Sequence, residues 1–337
     1  MPVSMSDVAR HAGVSQRTVS NVVNNYIHVS PQTRAKVEAS LSELGYRPNV
    51  IARQLRSGRS GTITLAVPDL QERYFADLAE SVIDYAHELG LRVLIETTGG
   101  DHERELALLQ GGGDQLTDGV IMSALTLGPA DDHLERADYP LVLIGDREFG
   151  GPVDHVGIPN REAARDAVGH MVGEGRTRLA LLGASEHTEH TYMLRRQGFD
   201  DALADAGLAL DPLLELKGLW TRDEGERIID ELLARDIPLP DAIFALNDSI
   251  ALGAIRALAR AGIRVPEQVA IVGFDDITES RYSTPSLSTV SPNLGELART
   301  ALQLLAEQLE DKRGEREPQH RHIGYELRVR ESSTPTP

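Results

Sequence analysis

The chain has 337 residues, enough for two or three domains with large cores. Its 41% hydrophobic and 26% charged content is that of a globular protein; no apolar run nears the ~18 residues of a membrane span, and no charged-then-apolar leader opens the chain. The absence of cysteine excludes disulfides and thiolate metal sites and fits a reducing cytoplasm, while a net charge of −18 argues at first against nucleic acid.

The distribution of charge reverses that argument. Residues 1–60 hold eight basic side chains (Arg10, Arg17, Arg34, Lys36, Arg47, Arg53, Arg56, Arg59) against Asp7, Glu38 and Glu43, a balance of +5, so the remainder carries −23. A basic head on an acidic body is the electrostatic footprint of a DNA-binding module fused to something else.

The head reads as helices. Val8, Ala9 and Ala12 line one side of a short helix, Gly13 turns the chain at positive φ, and Ser15 is a natural N-cap for a second helix. In that helix Val19, Val22 and Val23 make one buried face, and Gln16, Arg17, Ser20 and Asn21 make a polar outer face. A helix, a glycine turn and a second helix with a hydrogen-bonding surface make a helix-turn-helix suited to the major groove. Ser30-Pro31 then opens a third helix running to about Leu44, with Val37, Leu41 and Leu44 inward and Gly45 closing it. Residues 50–56 are one more helix of about two turns, marginal on its own, and 57–61 read as a linker.

From Thr62 strands and helices alternate. Strands fall at 62–68, 92–96, 119–122, 140–144, 178–183, near 213–217, at 241–246 and at 269–274. Helices fall at 74–90, 103–110, 160–174, 193–206, about 222–234 and 248–261; the first carries Leu78, Val82, Ile83, Ala86 and Leu89 on its expected inner face. The expected fold class is α/β: a small all-helical headpiece followed by two doubly wound parallel-sheet units. Ligands in such folds bind beyond the carboxyl ends of the strands, so a cleft between the units is the default site.

These residues together resemble the LacI/GalR family of transcriptional regulators over nearly the whole chain. Asp7-Val8-Ala9, Ala12-Gly13-Val14-Ser15, Thr18-Val19-Ser20 and Asn24 match its headpiece; Gly45-Tyr46-Arg47-Pro48-Asn49 and Ala52-Arg53-Gln54-Leu55 match its hinge helix. Val67-Pro68-Asp69, Asp118-Gly119-Val120-Ile121, Asp146-Arg147, Arg195, Gly198-Phe199, Asn247-Asp248 and 272–276 match its effector domain, which is similar to periplasmic sugar-binding proteins. The resemblance implies a headpiece at 1–48, a hinge at 49–61 and an effector-binding and dimerisation domain at 62–337. Within that domain it implies a first subdomain at about 62–159 and 291–320 and a second at about 160–290 and 321–331. It also implies a homodimer on a pseudo-palindromic operator, with a hinge that folds only on DNA and Leu55 wedged into the minor groove.

The residues expected on DNA are Ser6, Ser15, Gln16, Arg17, Thr18, Ser20, Asn21, Asn24, His28, Asn49, Ala52, Arg53, Leu55 and Arg56. Those expected on a small-molecule effector, a sugar, are Tyr74, Phe75, Ser123, Arg147, Arg195, Trp220, Asn247 and Asp275. Arg and Asp supply charged hydrogen bonds to vicinal hydroxyls. Trp220 suits either a sugar face or the core, and Asp275 either a ligand or a helix cap, a role that Asp276 also fits. Glu72-Arg73-Tyr74-Phe75 departs from the Asn-Pro-Phe-Phe common in relatives, which leaves the effector open. His187 and His190 lack a third ligand at a metal-binding spacing, Gly111-Gly112-Gly113 lacks the Lys-Ser/Thr of a phosphate loop, and no nucleophile elbow is present. No cofactor, metal or membrane is expected. A ligand-regulated repressor is favoured over a sugar-transport protein, which the basic head opposes. It is favoured over a sugar-modifying enzyme too, for which no acid/base set is found.

Overall fold

A computed structural model describes residues 3–23, 26, 28–46, 59–111, 117–127, 139–145, 153–184, 189–311 and 316–334. The chain divides into two compact units, Met1–Ser60 and Gly61–Pro337.

The first unit is built on α1 (Met5–Ala12), α2 (Gln16–Val23) and α3 (Pro31–Glu43). Each start has a local cause. The Ser4 side chain accepts from the Asp7 amide while the Asp7 carboxylate accepts from the Ser4 amide, a reciprocal capping box. Ser15 Oγ accepts from the Thr18 amide at 3.1 Å, and Ser30 caps α3 ahead of Pro31. Gly13, at φ 60°, ends α1 in the left-handed region. Val8, Ala9, Ala12, Val19, Val22 and Val37 form the core. Arg34 donates to the Tyr26 carbonyl at 2.9 Å and so ties α3 to the loop after α2.

Among the described residues the second unit contains two six-stranded sheets. Its elements are β1 (Thr62–Val67), α4 (Arg73–Glu88), β2 (Arg92–Thr97), α5 (His102–Gly111), β3 (Val120–Met122), β4 (Leu141–Ile144), β5 (Asp154–Gly157), α6 (Asn160–Gly173), β6 (Leu179–Ala184) and α7 (Glu189–Asp205). There follow β7 (Glu215–Lys217), α8 (Arg222–Leu233), β8 (Ala242–Ala245), α9 (Asp248–Arg260), β9 (Ala270–Phe274), α10 (Thr278–Tyr282), β10 (Ser288–Pro292), α11 (Leu294–Glu310), β11 (His320–His322) and β12 (Tyr325–Arg328). One sheet runs β11-β5-β4-β3-β1-β2 and the other β12-β10-β9-β8-β6-β7. Among the described residues all pairs are parallel except β10–β12, and most of the connections between strands carry a helix.

Among the described residues the chain passes between the two lobes three times: from β5 to α6, from β10 to α11, and from β11 to β12. α11 packs on α4 and β4 of the first lobe. One apolar cluster is continuous across these passages, from Ile63, Leu65 and Val142 through Ile158, Val290 and Ile323 to Leu181, Phe244 and Val272.

The structure corrects several expectations. Ile83 is 42% and Leu89 55% exposed, although helical spacing predicts both inward. The buried stripe of α4 is Leu78, Ala79, Val82 and Ala86; Ile83 lies about 40° beyond its edge, and Leu89 follows the last helical residue. The strand expected near 213–217 begins only at Glu215, because Asp211 and Pro212 start a 3₁₀ turn over Pro212–Leu214. Strands β5, β10, β11 and β12 are absent from the sequence reading: they are short, and His155, Pro292, His320 and Arg321 give them no apolar run.

Candidate functional site

On α2 the side chains of Gln16 and Arg17 are exposed, and Thr18 and Asn21 half-buried. Ser20, expected on this outer face, is instead only 8% exposed. It stands on the flank of the Val19–Val22–Val23 stripe, where a short side chain is covered. Ser15 spends its hydroxyl on the start of α2, 2.8 Å from Thr18 Oγ1. Ser6 is exposed on α1, and His28 is exposed with its ring edge-on to Tyr26 at 5.3 Å. Asn24, Asn49, Ala52, Arg53, Leu55 and Arg56 lie outside the described residues, as do Arg147, His187, Gly112 and Gly113.

In the body, Ser123, Trp220, Asn247 and Asp275 follow the carboxyl ends of strands β3, β7, β8 and β9, whereas Arg195, Tyr74 and Phe75 stand on helices. Arg195 is brought up by α7 and is 2% exposed. Its Nε donates to Asn160 Oδ1 at 2.8 Å, Nη1 donates to the Leu246 carbonyl, and Nη2 lies 3.8 Å from Asp275 Oδ1. The guanidinium lies over the Phe274 ring at 3.5 Å and 5.3 Å from the centre of Trp220. A buried cation is thus held by two oxygen acceptors, an aromatic face and a carboxylate, which offsets its loss of water.

Trp220 donates from Nε1 to the Gly183 carbonyl at 2.6 Å, and its own carbonyl accepts from Asn247 Nδ2 at 3.2 Å. Gly183 sits at φ 104°, and a Cβ there would meet the indole at 3.2 Å, so the ring depends on that glycine. Asn247 Oδ1 caps α9 by accepting from the Ile250 amide. The structure therefore brings Arg195, Trp220, Asn247 and Asp275 into one cluster. Asp275 and Asp276 hold φ of 115° and 53°. The helix-cap role is corrected for both: the residue before α10 is Ile277, with no side-chain cap, and Asp276 accepts from Ser291 Oγ and pairs with Arg330.

Tyr74, Phe75 and Ser123 are on the first lobe. Tyr74 and Phe75 pack edge to face at 5.2 Å at the start of α4, and Ser123, buried, follows β3. Asp69 accepts from the amides of Gln71 and Glu72, which shapes the turn into α4. Sequence reasoning missed Asn160 and Phe274 as supports of Arg195. It also missed Glu72, which makes a contact between the lobes: Ser249 Oγ donates to Glu72 Oε1 at 2.7 Å. Burial raises the Glu72 carboxyl pKa above its ordinary value, opposed by the Ser249 hydrogen bond and the Arg222 charge. The departure at Glu72-Arg73 was the available signal. Glu72→Ala and Ser249→Ala should each lower stability by about 1–2 kcal/mol, and the double variant by little more than either single change. Urea unfolding of the four proteins at pH 7 checks this; strictly additive losses would rule the contact out.

Comparison with known proteins follows the same division. Residues 4–49 match the bacterial regulatory proteins of the lacI family, and 168–333 match the periplasmic binding protein-like domain. Catabolite control protein A of Priestia megaterium is 32% identical over 306 residues, 90% of this chain and 92% of that protein. The chain belongs to the LacI family. Among solved structures of the family, a lac repressor dimer bound to operator and the anti-inducer ONPF aligns with a TM-score of 0.84 at 28% identity, over 99% of both chains. A complex of the transcriptional regulator CelR with cellobiose aligns at 0.71 and 32% identity, over 98% of this chain and 99% of that one. These relatives are transcriptional regulators, not enzymes, and this LacI-family chain is a DNA-binding transcriptional repressor of the same kind. Among the described residues no helix is long and apolar enough to cross a membrane, and no three His, Asp or Glu side chains are grouped to hold a metal.

Proposed function

We propose that this repressor binds a pseudo-palindromic operator as a homodimer and leaves it when a sugar enters the cleft between the lobes of its body. Residues 1–48 are the headpiece, 49–61 the hinge and 62–337 the effector and dimerisation domain. Gln16, Arg17 and Asn21 read base edges in the major groove, and Leu55 enters the minor groove. The observation that carries the effector reading is the separation of Arg195 Nη2 from Asp275 at 3.8 Å: a charged pair too long for a direct hydrogen bond, beside an indole. A polyol hydroxyl lying beside the pair can bridge it by accepting from the guanidinium and donating to the carboxylate. The relative solved with cellobiose supports a saccharide.

The test has two arms. Gel shifts on the DNA upstream of the chain's own gene, with a salt series, should show a dimer per operator and affinity falling steeply with salt. Arg17→Ala should lose about 1–3 kcal/mol of base discrimination at one operator position. Thermal shifts against a panel of mono- and disaccharides, cellobiose included, should find a ligand; at 100 times its Kd it adds ~2.7 kcal/mol. One monomer per operator, or no saccharide that shifts the melting temperature, overturns the corresponding half.

A further inference from the structure

Asp248 is a fully buried carboxylate one residue beyond Asn247, at the start of α9. Its oxygens reach out of that helix to another part of the fold. Oδ2 accepts from the Ile277 amide at 3.1 Å and from Ser280 Oγ at 2.6 Å, and Oδ1 accepts from Thr289 Oγ1 at 2.6 Å. Gly273 makes the space, since a Cβ there would stand 2.2 Å from Oδ1. The segment so gripped begins with Asp275 and Asp276, two consecutive non-glycine residues at positive φ, a conformation that persists only when its surroundings enforce it. From the other side Asp276 is held by Arg330 and Ser291, with Arg281 at 3.7 Å.

We propose that Asp248 is a positioning residue of the effector cleft: it locks the turn carrying Asn247 to the turn carrying Asp275, and so sets where the Asp275 carboxylate stands relative to Arg195 and Trp220. The proposal rests on the cleft reading above. It makes the site responsive to protons. Burial pushes the Asp248 carboxyl up to about 7, and the charge of Asp276 acts in the same direction, against the hydrogen bonds from Ser280, Thr289 and Ile277. The charged groups around these turns are Asp275, Asp276, Arg195, Arg281 and Arg330. When Asp248 gains its proton, one oxygen changes from acceptor to donor, and the grip on Ile277, Ser280 and Thr289 must rearrange.

The chain has a single Trp, so Trp220 emission reports this cluster without added ligand. In the full-length protein titrated from pH 5 to pH 8.5, Trp220 emission should change with a midpoint near 7. Asp248→Asn keeps the shape and an acceptor for the Ile277 amide while removing the titration, and should flatten the change at least several-fold. Asp275→Asn removes the relay to Arg195 and should flatten it as well. Far-UV circular dichroism verifies that both variants are folded. Should Asp248→Asn fail to fold, Asp248→Glu takes its place, and the midpoint is then expected to shift. A transition unchanged in the Asp248 variant, or one lost there but intact in Asp275→Asn, overturns the proposal. A saccharide screen without a hit while the transition behaves as stated would overturn the cleft reading alone.

Discussion

Gly253→Val should cost the protein at least ~3 kcal/mol of stability, the largest loss expected from a single side chain outside the apolar core. Helices α8 and α9 cross in backbone contact: a Cβ on Gly253 would stand 2.0 Å from the Arg222 carbonyl oxygen, and one on Gly225 would stand 2.2 Å from the Ile250 carbonyl oxygen. The obstacle is main chain in both directions, so no rotamer change relieves it. Inserting even a methyl forces the helices apart, and overpacking of this kind costs about 1–3 kcal/mol or more. An alanine would recover about 1 kcal/mol of helix propensity, which is why the β-branched variant is the sharper test. Gly169 supplies the control. It lies within α6 and a Cβ there meets nothing within 4 Å, so Gly169→Ala should stabilise by about 1 kcal/mol. Urea unfolding of the three proteins decides the matter. The crossing also sets the cleft, because α8 starts just after Trp220 and α9 just after Asn247, so Gly225→Ala should alter Trp220 emission even where the fold survives.

Between pH 5 and pH 8 the wild-type protein should lose about 3 kcal/mol of stability that Asp248→Asn does not lose. The Asp248 carboxyl is raised from 3.8 to about 7 in the folded protein. Between those values the native state holds a proton that the unfolded chain has released, so stability falls as pH rises through the window and is level above it. Each pH unit of that window is worth about 1.36 kcal/mol, and about two of them lie above pH 5. This sign is opposite to that of a carboxylate held in a salt bridge, which gains stability as pH rises through its own window. The difference between the two proteins, followed by urea unfolding at four pH values, isolates Asp248 from the other titrating groups. A parallel pH dependence in wild type and Asp248→Asn would show that the group is ionised throughout.

The alternation of strand and helix and the headpiece are legible because each rests on short-range chemistry: the caps at Ser15 and Ser30, the glycine at 13, the apolar runs of β1, β6 and β9. The strands at 154–157, 288–292, 320–322 and 325–328 are not, because their pairing is long-range and their residues are polar or alternate in burial. The exposed Ile83 shows the limit from the other side, since helical spacing alone does not say how wide the covered stripe is. In the cleft, Arg195, Asn247 and Asp275 follow from the resemblance and Trp220 from its place in a loop between strand and helix, whereas the roles of Asn160, Phe274, Asp248 and Ser249 come through partners 29 to 177 residues away or through ring stacking, which no local pattern announces. Ser20 departs from expectation for a plainer reason: polarity does not guarantee solvent, and a hydroxyl that small fits under its neighbours.

The three passages of the chain between the lobes have a mechanical consequence. Neither lobe is a contiguous stretch of sequence, so neither can be excised by one cut, and a protease nick in any one passage leaves two tethers. Three links lying side by side resist stretching and sliding but yield to a rotation about an axis through them. The body is therefore stiff in most directions and soft in one, and a small molecule acting on it has a single motion available to drive.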